Sequence, residues 1–265
     1  MATMKNLSMA TAGAALIALG TFGTAQAATV VVPNGLASIE GNTNNGFPFN
    51  LELFGLSSQR YQQVFAASDF AFLSEPQLIT QIAFRPDAEF GDPFSSTISN
   101  ILINLSTTSV APDGLSTTFA NNVGADNTTV FSGPLSLSSA DTGPATGPKD
   151  FDIVINLQNP FLYNPSLGNL LLDVKNFSGE PTTQFDAQFS EGDPVSRTFS
   201  LTGNVNGSTG SMDSVGLVTQ FTTAPVSTPV PEPTSGIGLL AMGTLGAGSR
   251  LLRKQQRKAQ GSRLN

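Results

Sequence analysis

The sequence predicts an all-β protein: a single antiparallel β-sandwich or jelly-roll-like domain. Three observations carry that prediction. Apolar and polar residues alternate at period two in several short runs, the pattern of a strand with one buried face. Clusters of Gly, Pro, Asn and Asp punctuate those runs at regular intervals. Between residues 28 and 229 there is no long amphipathic helix pattern, and no fixed repeat that would indicate a solenoid.

The first 27 residues read as a secretory signal helix. Lys5 supplies the positive start, Ala10 to Phe22 the apolar stretch, and Ala25-Gln26-Ala27 the small-residue cleavage site. The mature chain is expected to start near Ala28 and to enter a strand at Thr29–Val32. Strand candidates follow at Phe47–Phe54, Arg60–Ala66 and Leu78–Phe84. Ile101, Ile103 and Leu105 then share one face. In Phe151–Leu157 the alternation sets Phe151, Ile153, Ile155 and Leu157 opposite Asp152 and Asn156. Leu170, Leu172 and Val174 repeat it, and Arg197–Leu201 and Val215–Phe221 complete the set. Turn clusters stand at 41–46, 86–93, 112–114, 141–148, 179–181, 192–194 and 203–210, where Gly and Asn supply positive φ and Pro fixes φ near −65°. A short helix is expected at Ser116–Asn121 and a turn of helix at Ala67–Ala71. The β domain is thus expected to span 28–221, with a polar linker over 222–229.

Charge is segregated along the chain. Residues 28–229 hold 5 basic and 18 acidic residues, a net charge of −13, whereas six basic residues crowd the last 16 positions. So acidic a domain repels nucleic acid and anionic membrane surfaces and attracts cations. There are no cysteines and no histidines. Disulfide frameworks, Ser-His-Asp triads, Cys-His dyads and His- or Cys-ligated metal sites are therefore excluded. A Ser-Lys dyad would need Lys149, in a Gly/Pro loop, or Lys175, at a strand end, and neither position reads as buried. The carboxylates are scattered over turns with no pairing visible, so no catalytic residue is assigned and the chain is read as non-enzymatic. Asp87, Glu89 and Asp92 form the best candidate for Ca²⁺, because hard cations take carboxylate and carbonyl oxygens from loops. Glu191-Gly192-Asp193-Pro194 repeats the Gly-Asp-Pro element. No EF-hand spacing is present, and otherwise no cofactor is implied. With no Trp and only Tyr61 and Tyr163, the chain is poor in sugar-stacking rings, while its 19 Phe suit a sandwich core.

The C-terminal region has a distinct order. Val230-Pro231-Glu232-Pro233 precedes an uncharged Gly/Leu-rich run from Thr234 to Ser249, followed by Arg250, Arg253, Lys254, Arg257 and Lys258. The 16 uncharged residues fall short of the ~20 that span a bilayer, so the transmembrane helix predicted here reads as a temporary hold, with its basic flank on the cytoplasmic side. Residues 259–265 read as a disordered tail.

Motif, apolar run and basic cluster together, over 230–258, resemble the C-terminal sorting signal of the PEP-CTERM family of exported bacterial proteins. Arg60–Phe65, Asp113–Asp126 and Gly168–Asp173 resemble segments of secreted members with an uncharacterised β domain. The resemblance implies recognition by an exosortase, an integral-membrane cysteine protease or transpeptidase, with cleavage near Pro231, Glu232 and Pro233. The expected product is a surface or extracellular-matrix protein associated with exopolysaccharide. The alternatives are a calcium-dependent glycan-binding module and a carboxylate-dependent hydrolase.

Overall fold

The computed structural model describes residues 27–226. The signal helix with Ala25, the motif Val230–Pro233, the transmembrane helix with its basic cluster, and the tail all lie outside the described residues. Among the described residues, no helix is long and apolar enough to cross a membrane.

The chain is all-β and antiparallel, as the alternation predicted. In order the strands are β1 Ala28–Val32, β2 Thr43–Asn45, β3 Gln59–Phe65, β4 Gln77–Phe84, β5 Phe94–Thr108, β6 Thr128–Ser139 and β7 Ile153–Tyr163. They continue as β8 Asn169–Asn176, β9 Phe185–Phe189, β10 Val195–Phe199, β11 Ser211–Asp213, β12 Val215–Leu217 and β13 Thr219–Pro225. A four-stranded sheet runs β1-β13-β4-β7, a six-stranded sheet β11-β10-β3-β8-β5-β6, and a small sheet β12-β9-β2. The two larger sheets pack face to face. Phe65 of β3 meets Phe221 of β13 edge-on at 4.9 Å, and Phe49 and Phe185 extend the aromatic layer to Phe84. Most of the described Phe residues are thus core, with Phe54, Phe72, Phe90, Phe177 and Phe189 left exposed, and one contiguous apolar cluster draws on all three sheets.

Four local expectations are corrected. Phe47–Phe54 is a turn and a 3₁₀ segment, although Phe47, Phe49 and Leu51 are buried as the alternation required. Asn45 holds that turn by donating to Phe47 O and accepting from Phe47 N, and Pro48 has no N–H for a ladder. Val215–Phe221 breaks at Val218, so β12 and β13 belong to different sheets. The short helix expected at Ser116–Asn121 shrinks to a single 3₁₀ turn, Phe119–Asn121, whereas the turn of helix expected at Ala67–Ala71 is present as a 3₁₀ turn over Ala67–Phe70. The domain does not end at 221: Thr222–Pro225 continue β13 against β4, and the Thr223 hydroxyl donates to Ala28 O and Gln77 Oε1. Threonine is a strong strand former, and its polarity alone had suggested a linker.

Pairing in the four-stranded sheet fixes a direction. Ala28 opposes Thr223, Pro225 opposes Gln77, and Gln77 opposes Tyr163. The described chain therefore begins and ends at the same end of that sheet. Phe84, which opposes Ile153, lies at the other end, about 23 Å away along β4 at 3.3 Å per residue.

Candidate functional site

Arg85 leaves β4 at that far end. It stands 1% exposed, the largest fully buried side chain of the domain. A guanidinium there needs a compensating charge and a partner for each N–H. Its Nε and Nη2 both reach Asp186 Oδ2, at 2.7 and 2.6 Å. Nη2 also donates to Leu36 O and Ile39 O, and the group lies 4.8 Å from the Phe151 ring centre. Asp186 sits on β9 and accepts from Gly41 N through its other oxygen, at 2.9 Å. The approach is so close that a Cβ at Gly41 would fall 2.1 Å from Ala187 O, so only glycine fits. Burial pushes the Asp186 carboxyl up, against the pull of Arg85. One ion pair thus pins the segment between β1 and β2 onto β4 and β9.

Two further carboxyls join it. Glu40 Oε1 accepts from Ala88 N at 2.9 Å, while its Oε2 is buried without a partner. Burial raises Glu40 to about 7, with Asp186 and Asp87 adding to the rise and the Ala88 N–H and Arg85 opposing it. Asp87 caps its own turn, accepting from Glu89 N and Phe90 N at 3.0 and 2.8 Å, and Gly91 N closes the turn on Asp87 O. Carboxylate oxygens of Glu40, Asp87 and Asp186 lie within 4.8 Å of one another. Glu40 and Asp87 border an open groove of about 670 Å³, walled by Glu40–Asn44, Asp87–Phe90, Ala145 and Thr146, with Asp186 buried behind it.

Of the predicted Ca²⁺ ligands, only Asp87 is part of this group. Glu89 is exposed on the groove wall, and Asp92 is exposed outside it, with its N–H on Thr183 Oγ1. The fold supplies Glu40 and Asp186 in their place, from segments distant in sequence. The one sequence signal was Arg85 itself, a lone cation at the end of an apolar strand.

The second acidic cluster meets Asp113. Gly192 N donates to Asp113 Oδ2 at 2.7 Å, and Val195 N to Asp193 Oδ1 at 3.0 Å. Burial raises Asp193 to about 6, with Asp113 and Asp69 adding to the rise and backbone N–H groups opposing it. Tyr61 is 0% exposed and donates to Gln63, and Tyr163 is also buried, so neither ring is a surface for sugar stacking. Lys149, expected in the open, is buried and ion-paired to Asp141 at 3.0 Å. Its bonds go to Asp141 and to no serine.

The chemistry of this arrangement is limited. A general acid must present its proton to the substrate. The unbonded oxygen of Glu40 is buried, and Asp87 Oδ1 is already engaged by two N–H groups. A divalent cation wants six or more oxygens, and Arg85 already neutralises Asp186. As it stands, the cluster is a structural knot that shapes the wall of a polar groove. No protein-family model matches the chain, and no curated protein or solved structure is significantly similar to it.

Proposed function

We propose that the chain is an exported, non-enzymatic surface or extracellular-matrix protein. Residues 1–27 direct secretion, and 230–258 act as a PEP-CTERM-type sorting signal that an exosortase-type membrane protease cleaves near Pro231–Pro233. The mature β domain then joins the exopolysaccharide matrix or the envelope. The observation that carries this reading is the order of motif, uncharged run and basic cluster so soon after the domain closes: β13 ends at Pro225 and the motif begins at Val230. The acidic, histidine- and cysteine-free composition and the inward-turned Glu40 agree with a non-catalytic role.

The motif can be tested directly. A P231A/E232A/P233A variant expressed in a host with a matching exosortase is expected to accumulate as an unprocessed, membrane-associated chain, while wild type is shortened and released from the membrane. Equal processing of both proteins, read by immunoblot of membrane and external fractions, would refute the motif's role.

A second reading is a calcium-dependent glycan-binding module. What favours it is the groove itself, with Asp87 and Glu40 on one wall and the exposed Phe90 and Glu89 beside them. The Arg85–Asp186 pair weighs against it, because an ion would compete with a guanidinium already in place.

A further inference from the structure

The end of the four-stranded sheet from which both chain ends leave carries an apolar hollow of about 500 Å³. It is lined by Pro76, next to Gln77 of β4, by Pro160, Phe161 and Leu162 of β7, and by Leu167 in the turn before β8. Leu162 is 53% and Leu167 74% exposed, two large aliphatic side chains in water at one site. A neighbouring hollow, formed by Ala71, Leu73, Pro165 and Ser166, extends the apolar end. No basic residue lines either hollow. Asp126 is the one carboxylate, and its Oδ1 is held by Thr107 N at 2.7 Å.

The position says what would cover it. Pro225 pairs with Gln77, one residue from Pro76, so the chain leaves the domain beside this hollow. Thr234, where the uncharged run begins, lies eight positions beyond Val226, a reach of at most about 29 Å. We propose that the Leu162–Leu167 hollow is a bilayer-contact surface, which rests the domain against neutral lipid while the sorting signal is still in the membrane. This inference rests on the sorting-signal reading. Four of the domain's five cations are tied up in ion pairs, so the contact is apolar and favours zwitterionic over anionic headgroups. The acidic groove, at the opposite end of the sheet, then faces away from the membrane.

The chain has no tryptophan, so a single introduced one is a clean reporter. Full-length protein is reconstituted in phosphatidylcholine vesicles containing brominated lipid, and vesicles are recovered by flotation. The L167W reporter is expected to emit at short wavelength and to lose most of its emission to the brominated lipid. An F90W reporter in the far groove keeps its emission. Adding Leu162→Glu to L167W restores the emission while the protein still floats. Phosphatidylglycerol in place of half the lipid weakens the quenching. A floating chain whose L167W reporter is as unquenched as F90W overturns the contact surface and leaves the sorting signal standing. A chain that does not float overturns both. Stronger quenching on anionic lipid contradicts the neutral-lipid assignment. A blue shift of L167W in lipid-free protein assigns the hollow to a second copy of the chain.

Discussion

Replacing Arg85 by methionine is expected to destabilise the domain by about 3–5 kcal/mol, because it strands the Asp186 carboxylate in the interior. Arg85 and Asp186 are both almost fully buried. The guanidinium also satisfies Leu36 O and Ile39 O, so its loss frees two backbone acceptors that hold the segment between β1 and β2. For a domain of this size each kcal/mol moves the midpoint by roughly 2–4 °C, so thermal unfolding by circular dichroism should show a fall of about 6–20 °C. Adding Asp186→Asn removes the stranded charge, keeps an acceptor for Gly41 N, and should recover part of the loss. A methionine variant that melts with wild type would mean that the pair does not hold the groove wall.

Glu40 gives the domain a pH dependence of definite sign. Its folded pKa of about 7 stands above the ordinary 4.5. Below 4.5 both folded and unfolded chains carry the proton, and the contribution of protonated Glu40 to stability is fully present. As pH rises through 4.5 the unfolded chain releases its proton first, so stability falls, and the contribution is gone above about 7. Asp193, raised from 3.8 to about 6, acts in the same direction over a lower window. Glu40 is partly exposed, so after allowance for solvent screening its share is about 1–2 kcal/mol. Glu40→Gln fixes the neutral form. Urea unfolding is expected to show the variant more stable than wild type at pH 8, close to it at pH 4, and less steep between. An unchanged slope in the variant would remove Glu40 as the proton carrier. The same series separates the calcium reading. A midpoint raised by millimolar Ca²⁺ at pH 8 in wild type and not in E40Q supports it, and no shift in either removes it.

Much of the fold was legible because strand burial follows period two. Ile101, Ile103 and Leu105 fall on the core face of β5, and Ile153 and Ile155 on that of β7, as their alternation requires. The same rule misread Phe47–Phe54, because three buried apolar residues at alternate positions look alike in a strand and in a folded turn. It also missed that β8 is covered on both faces. Leu171 packs with Val64 and Leu115, and Asp173 is buried against Arg60 and Gln62. Those contacts come from segments far off in sequence, which periodicity does not register. The acid cluster was hidden for the same reason. Glu40, Asp87 and Asp186 come from three separate segments, and the pairing of β2 with β9, together with the Arg85–Asp186 ion pair, brings the first and last together. Lys149 looked solvated in its Gly/Pro loop, yet Asp150 N closes that loop on Thr142 O and brings the amine to Asp141.

The most direct test of the account is the covalent state of the mature protein. Mass spectrometry of the chain recovered outside the inner membrane is predicted to find an N-terminus at or near Ala28 and a C-terminus at or near Pro231–Pro233, with no peptide from the basic cluster Arg250–Lys258. A chain found in the cytoplasm with Met1 and Asn265 both in place would contradict it.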